Sequence, residues 1–458
     1  MLTPRDARDQ VRILRDYAEA ERAQLDVVRR YWKGRQRAPM VLDDASPQAV
    51  KAMARIARVN VCPIVVDSLA QSLFVDGFRL TTDNEQVSVW QAWQANKMDA
   101  RQTGLHRAAH AYGASYAIVM PGDPVPVIRC ASPRSLTAIY GEDPDWPMWA
   151  LERLGGGLWK LYDEQAVYYV AEEQRKGPDN TVDTAWVFVS SEAHDAGVVP
   201  VIRYLDEDDL DADDEVSSAG AIMGWEEAPT RGQISPLMAI QDQIDLTTFG
   251  LLVAQHYSAF RQRYVLGWLP ESEAEKFKAT ASSIWAFENE GGGGDGLSVG
   301  EFGQTNLDGY IKSRESSLKH AATLSQTPVH ELLGDLVNLS AEALAAAESG
   351  HDRKVGERKT LLGESHEQTL RLTGQLMKQD VPQDAEVIWR DVSARTFAAT
   401  VDGLGKLATM LNVPYPELWQ LIPGVTQQDV ERWKAAAQTG DSFAQLTALL
   451  DRQGNPTG

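Results

Sequence analysis

"QTPVHELLGDLVNLSAEALAAAES", residues 326–349, sets a proline-pinned apolar stretch directly before an alanine-rich segment. Pro328 fixes its own φ and disfavours helix at Thr327, so a helix arriving from upstream should stop there. Val329, Leu332, Leu333, Leu336 and Val337 then make a greasy connector of 327–339. Ala341, Leu344, Ala345, Ala346 and Ala347 follow, and because alanine loses no side-chain entropy on coiling, a very long helix is expected over 340–378. Side chains this small also let a second helix axis come close. "HELLG" opens like a zinc-binding helix, but the metal needs a second imidazole one turn on, and position 334 is Gly. The stretch offers shape and apolar surface, with no catalytic group.

Upstream of it, a helix is expected over 306–326. Another starts at Ser235–Pro236, a capping serine followed by proline, and runs to Phe260 with Leu237, Ile240, Ile244, Leu251 and Leu252 as its stripe. Between them, 261–305 changes character through "RQRYVLGWLP", a short helical stretch and "IWAFENEGGGGDG". Downstream come one strand, "EVIWRDVS" (386–393), and a helical region over 396–450. The N-terminal segment reads as an amphipathic helix capped by Thr3, with Pro4 in its first turn, Val11, Leu14, Tyr17, Ala18, Leu25 and Val28 on one face, and Gly34 as its stop. Two further helices are expected over 48–73 and 86–112, the latter carrying Trp90 and Trp93 and ending at Gly113. From 114 to 205 the period shortens to that of strands: "SYAIVM", "LTAIY", "LWKLYD" and "AVYYVAEE" are β-branched or aromatic and separated by turn residues. The fold class is therefore α+β and predominantly helical.

The 458 residues are 43% hydrophobic, enough for packed cores and too many for a disordered chain. Against 44 Lys and Arg stand 65 Asp and Glu, a formal net charge of −21. A general nucleic-acid binder carries a basic excess because phosphate neutralisation supplies its affinity, so any DNA contact here has to be local or weak. Two cysteines, Cys62 and Cys130, make no disulfide framework and no thiolate metal site. No apolar run reaches the span of a bilayer, and a soluble protein without a signal peptide is expected.

Other enzyme signatures fail in the same way as the zinc motif. "EGGGGDGLSVG" is followed by no Lys-Ser/Thr pair and reads as a hairpin tip rather than a phosphate cradle. "DEDDLDADDE" (206–215) alternates Asp209, Asp211 and Asp213, yet Asp214 stands where a calcium loop needs Gly and Gly220 where it needs Glu, so a solvated surface loop is expected. No catalytic residue, cofactor or metal is assigned. A hydrolase with a cleft beside the strands of 114–205 has no residue set to support it.

Taken in order, several segments resemble the tailed-bacteriophage portal proteins of the Gp6-like class: "YWKG" (31–34), "ARVNVCPIVVDSLAQSLFVDGFR" (57–79), "AYGASYAIV" (111–119), "GVVPVIRY" (197–204), "GQISPLMAIQDQID" (232–245), "AFRQRYVLG" (259–267) and, most specifically, "TPVHELLGDLVNLSAEALAAAE" (327–348). The acidic run 206–215 is a departure, since relatives tend to carry shorter, less charged loops there. The resemblance implies a homo-oligomeric ring, usually of twelve copies, around a channel for double-stranded DNA at one capsid vertex of the virion, assembled in the host cytoplasm. A different virion component, such as a minor capsid protein, is the alternative. On the portal reading, 1–234 would be the wing, 235–260 and 306–326 stem helices, 261–305 the clip, 327–339 the tunnel loop, 340–395 the long helix and returning wing strand, and 396–458 the crown.

The same resemblance implies partners: the terminase large subunit, a head–tail adaptor protein and the major capsid protein, with no membrane. Val329, His330, Leu332, Leu333, Leu336 and Val337 would face the channel, with Lys354, Arg358 and Lys359 touching the duplex transiently. Apolar tips and a negative field suit a bore that must let DNA slide, because every tight phosphate contact would have to be broken at each step. Arg261, Arg263, Trp268 and Trp285 would be partner contacts of the clip, arginine and tryptophan being favoured at interfaces.

Overall fold

The computed structural model describes residues 1–40, 46–79, 86–176, 182–207, 232–259, 263–266, 284–287, 298–301, 306–334, 341–390, 397–419, 421–422, 425, 429–430 and 432–437. Two compact units emerge: Met1–Asp26 with Val66–Gly232 and Arg353–Gly458, and Val27–Val65 with Gln233–Asp352.

In the first unit, helix α1 (Pro4–Trp32) begins as expected: the Thr3 hydroxyl oxygen accepts the Asp6 amide at 3.2 Å. Its face of Ala7, Val11, Leu14 and Ala18 packs on a five-stranded antiparallel meander, β4 (Leu136–Ile139), β5 (Trp149–Gly155), β6 (Leu158–Tyr162), β7 (Ala166–Lys176) and β8 (Val182–Ala193). The two-residue period sorts β6 cleanly. Trp159 and Leu161 face α1, whereas Tyr162 joins Val167 and Ala150 on the opposite side. The β5–β6 turn runs through Gly155, Gly156 and Gly157 at φ 92°, 60° and 78°, which side chains disfavour, and a Cβ on Gly157 would lie 2.6 Å from the Glu172 carbonyl oxygen.

Against that opposite side packs a second sheet of order β3-β2-β9: β3 (Val127–Ala131), β2 (Ala114–Met120) and β9 (Val201–Leu205). Tyr116, Ile118 and Val201 meet the meander, while Ala117, Val119, Ile128, Ile202 and Tyr204 meet helices. Both faces of β2 are covered, which is why its sequence is a continuous apolar run.

The helical layer departs from the sequence reading in two places. The expected helix over 48–73 is two, α2 (Gln48–Ile56) and α3 (Cys62–Gln71). Asn60 interrupts it: its side-chain carbonyl accepts the Cys62 amide at 3.2 Å and its amide donates to the Tyr31 carbonyl at 2.6 Å, offering the backbone partners a helix would otherwise supply. The following "SLFVDGFR" supplies strand β1 (Val75–Arg79) instead of a helix end. The expected helix over 86–112 is likewise α4 (Gln86–Ala95) and α5 (Met98–Tyr112), parted at Lys97 in the left-handed region, φ 56°.

After the second unit the chain returns as the long helix α9 (Ala341–Leu376) and strand β13 (Glu386–Trp389), which pairs antiparallel with β1. A two-stranded ribbon has two open edges, and helices close both. Gln102 of α5 accepts the Val75 amide (2.7 Å) and donates to its carbonyl (3.0 Å), while Glu367 of α9 accepts the Val387 amide at 3.1 Å. Ion pairs Arg79–Glu386 (2.8 Å) and Arg390–Asp76 (2.7 Å) fix the register. Helices α10 (Phe397–Leu411) and α11 (Tyr415–Trp419) follow.

The second unit centres on α6 (Met238–Ala259), preceded by a 3₁₀ turn at Ser235–Leu237, and on α7 (Asp308–Ser325). They pack closely enough that a Cβ on Gly250 would lie 3.0 Å from the Tyr310 ring. Strands β10 (Arg263–Leu266), β11 (Ile284–Phe287) and β12 (Ser298–Glu301) form a mixed sheet, β10 running parallel to β11 and antiparallel to β12. Among the described residues no helix is long and apolar enough to cross a membrane, and no cluster of three or more metal-ligating side chains occurs.

Candidate functional site

The segment around Pro328 is more ordered than a plain apolar loop. Helix α7 ends where Gln326 turns left-handed (φ 53°), its amide bonding back to the Ala322 and Thr323 carbonyls, and the Ser325 and Thr327 hydroxyls bond at 2.9 Å. Pro328 then opens a short helix, α8 (Val329–Leu333), closed by Gly334 at φ 71° with its amide on the His330 carbonyl. This turn sorts the predicted channel residues. Leu332 is buried, His330 and Leu333 are half-buried, and Val329 is 40% exposed. Leu336 and Val337 lie outside the described residues.

The small-residue helix that follows is α9, and its polar residues decide where it is held. Arg358 is buried, and its Nε sits 3.3 Å from Asp206 Oδ1. The Nδ1–H of His110 donates to the same oxygen at 2.6 Å, and the Asp206 amide donates to the Gly113 carbonyl at 2.8 Å. Lys354 is buried in this neighbourhood, and desolvation pushes its ammonium down to about 8 against the pull of Asp206. Lys359 is half-buried. Asp206 therefore corrects one sequence expectation. The first residue of the acidic run is no solvated loop residue but a fully buried counter-ion joining β9, α5 and α9. It directly follows the apolar "VIRYL" strand, the one signal that could have marked it.

Two and three turns further along α9, Ser365, His366 and Thr369 enter a buried polar chain. His106 Nδ1 lies 3.2 Å from the Leu73 carbonyl and its Nε2 2.8 Å from His366 Nε2; His366 Nδ1 meets the Tyr204 hydroxyl at 3.1 Å, which meets Thr369 Oγ1 at 2.7 Å. A carbonyl only accepts, so His106 must carry its proton on Nδ1, and the directions of the next two bonds follow: His366 donates to His106 and Tyr204 to His366. The Thr369 hydroxyl also has the Ser365 carbonyl at 2.9 Å. Burial pushes His106 down to about 3 and His366 well below the ordinary imidazole range. Both are neutral, and the chain ties α5, β9 and α9 together without charge. His106 and His366 stand 260 residues apart, so no sequence pattern announces the pair.

Of the residues assigned to the segment 261–305, Arg263 begins β10 and Trp285 lies in β11, one position beyond the pairing of Arg263 with Ile284. Arg261 and Trp268 lie outside the described residues.

The polar centres found here link secondary-structure elements to one another, as in a subunit built to hold a shape. Comparison with known proteins says which. A family model, "Phage portal protein, SPP1 Gp6-like", matches residues 12–442. The portal protein of Mycobacterium phage D29 is 28% identical over 379 residues, covering 78% of this chain and 74% of that protein; the portal protein of Mycobacterium phage L5 is 27% identical over 400, covering 81% and 76%. Among solved structures, chains from the virion of a native gene transfer agent particle and from the neck of such a particle computed with C12 symmetry are similar at TM-scores of 0.42 and 0.41, each 11% identical, covering 82% and 83% of this chain and 94% and 95% of theirs. This chain belongs to the phage portal protein family, SPP1 Gp6-like.

Proposed function

We propose that twelve copies of this chain close into a ring at one capsid vertex, forming the passage through which double-stranded DNA is packaged and later ejected. The observation that carries the reading is the family match over residues 12–442, supported by two portal relatives that align along about four-fifths of the chain. In this reading the α1 and strand-rich unit is the wing, α6 and α7 are stem helices, and the sheet of β10, β11 and β12 belongs to the clip. The clip would meet the terminase large subunit during packaging and a head–tail adaptor afterwards, with Arg261, Arg263, Trp268 and Trp285 as candidate contacts, while the outer wing would meet the major capsid protein. α10, α11 and the residues after them would form the crown.

The segment 327–339 would be the tunnel loop, with Val329 at its exposed turn and Leu336 and Val337 beyond it. Lys359 and the exposed Arg353 are the cations of α9 best placed for passing contacts with phosphate. Lys354 and Arg358, held against Asp206, would set the placement of the helix. A chain of net charge −21 repels the duplex on average, which keeps such contacts transient.

Negative-stain imaging of the purified chain tests the reading. A twelve-fold annulus with a bore wide enough for a duplex supports it, and a compact single copy at high concentration sinks it.

A further inference from the structure

An open groove of about 730 Å³ lies in the second unit between α7, the Pro328 turn and α8, with α6 and the first half of α9 at its margins. Leu251, Leu318, Leu332 and Leu333 supply its apolar lining, and Ile311 and Val329, 44% and 40% exposed, stand at it uncovered. Among this grease sit two cations, Arg314 and Lys319. Neither makes an ion pair among the described residues, and the Arg314 Nε, shut off from solvent, meets no acceptor among them. One carboxylate, Glu315, also lines the groove.

Folded proteins rarely leave a shielded guanidinium nitrogen unsatisfied, because the donor loses water and gains nothing in return. An apolar lining with an unanswered cation is complementary to a ridge of apolar side chains carrying a carboxylate. A duplex does not fit that description, since its phosphates stand on a broad convex surface with no apolar side chains to fill the floor. A second copy of this chain does. It is strongly acidic, and a closed ring joins unlike faces, so each copy must offer one receiving surface and one inserting surface.

We propose that this groove is the receiving half of the copy-to-copy contact, completed by apolar side chains and a carboxylate of the neighbouring copy that pairs with Arg314 and Lys319. The inference rests on the ring reading above. It adds that the Pro328 turn is locked by the neighbour.

The test uses the full chain, assembled and as single copies obtained by dilution. Amide exchange over 311–333 should slow at least tenfold in the ring, and carbodiimide should couple Lys319 to a carboxylate of another copy. Arg314→Glu should cut the ring fraction by native mass spectrometry at least tenfold, and Arg314→Lys should keep it. Lys319→Glu, at an exposed position, serves if the first variant folds poorly, with circular dichroism as the check. Rings of wild type in which 311–333 exchanges as in single copies, or in which Arg314→Glu and Lys319→Glu assemble normally, overturn this inference and leave the portal reading standing. A wild type that never assembles overturns both.

Discussion

Two aspartates, each at the centre of one unit, are buried to the same degree and held in opposite ways. Asp206 is 0% exposed and answered by charge: Arg358 at 3.3 Å, the field of Lys354, and a short bond from His110. Asp245 is 1% exposed and answered only by neutral donors, the Val59 amide (3.1 Å) and Gln241 amide (2.8 Å) on Oδ1 and the Gln36 amide (2.9 Å) on Oδ2. Desolvation pushes Asp245 above the ordinary aspartate range, and nearby Asp242 adds to this, while the three hydrogen bonds pull the other way. A carboxylate held by charge makes its partners indispensable. A carboxylate held by amides is replaceable by an amide. The first suits a joint between distant elements, the second a rigid local clamp.

The sharpest way to break this contrast is to remove the charge at one joint. Arg358→Met keeps the length and the apolar stem but leaves Asp206 buried with His110 and Lys354. Breaking one side of a buried pair costs about 3–5 kcal/mol, because the remaining charge is left desolvated. Urea denaturation at pH 7 should show a loss in that range. A loss below about 1 kcal/mol would mean that His110 and Lys354 hold Asp206 unaided, and that the charged centre is as replaceable as the neutral one.

The imidazole chain gives an intermediate case, neutral at pH 7 and charged in acid. The charged groups that act on the pair are imidazoles, His110 on His106 and His106 on His366, with no carboxylate among them. The unfolded chain takes up protons below the ordinary imidazole value of 6.5, whereas folded His106 resists until about 3. Its contribution to stability is therefore present above 6.5 and is lost as the pH falls toward 3. One proton's difference is worth about 1.4 kcal/mol per pH unit, so by pH 5 the wild type should lose about 2 kcal/mol that His106→Gln does not lose. Parallel pH profiles for the two proteins would show that the imidazoles titrate normally. At pH 7, Tyr204→Phe removes the donor that faces His366 Nδ1, and a loss of about 1–2 kcal/mol is expected in the same urea assay.

How far these centres could be read in advance depended on the range of the forces that make them. The stripe Val11, Leu14, Ala18, Leu25 and Val28 is a local period, and all five are buried in α1. Pro328 and Gly113 act on their own backbone, so helix ends near them were legible, whereas the short helix closed by Gly334 was read as plain connector. Asn60 and Lys97 break helices through bonds or conformations that propensity alone does not weigh against an apolar run, so four helices were read as two. Asp206, the pair His106–His366 and Arg314 depend on partners brought together only by the tertiary fold, and composition steered the reading of 206–215 toward solvent. The channel and clip residues came from resemblance to a family. The residues themselves signalled only an apolar connector and a helix of small side chains.

The smallest expected effect is the most discriminating, because it asks whether the second aspartate needs its charge at all. In Asp245→Asn the side-chain oxygen keeps the Val59 and Gln241 donors, and the new amide faces Gln36. The Gln36 Oε1 is buried and without a partner, so a half-turn of that amide would accept the new donor and repair the third bond. Gln241 is anchored independently, accepting the Val61 amide at 3.0 Å and donating to the Val59 carbonyl at 2.8 Å, so the frame around the substitution stays in place. The raised carboxyl pKa means the folded state binds this proton more tightly than the unfolded chain does. Its contribution is greatest in acid and is lost as the pH rises past the ordinary aspartate value of 3.8. Asparagine carries no such penalty at neutral pH. Asp245→Asn should therefore lie within about 1 kcal/mol of wild type at pH 7 and compare better there than at pH 4, whereas Asp245→Ala, which strands three donors, should cost at least about 2 kcal/mol. If asparagine proves as damaging as alanine, the carboxylate charge matters in both units, and the distinction between a joint held by charge and a clamp held by amides fails at its second member.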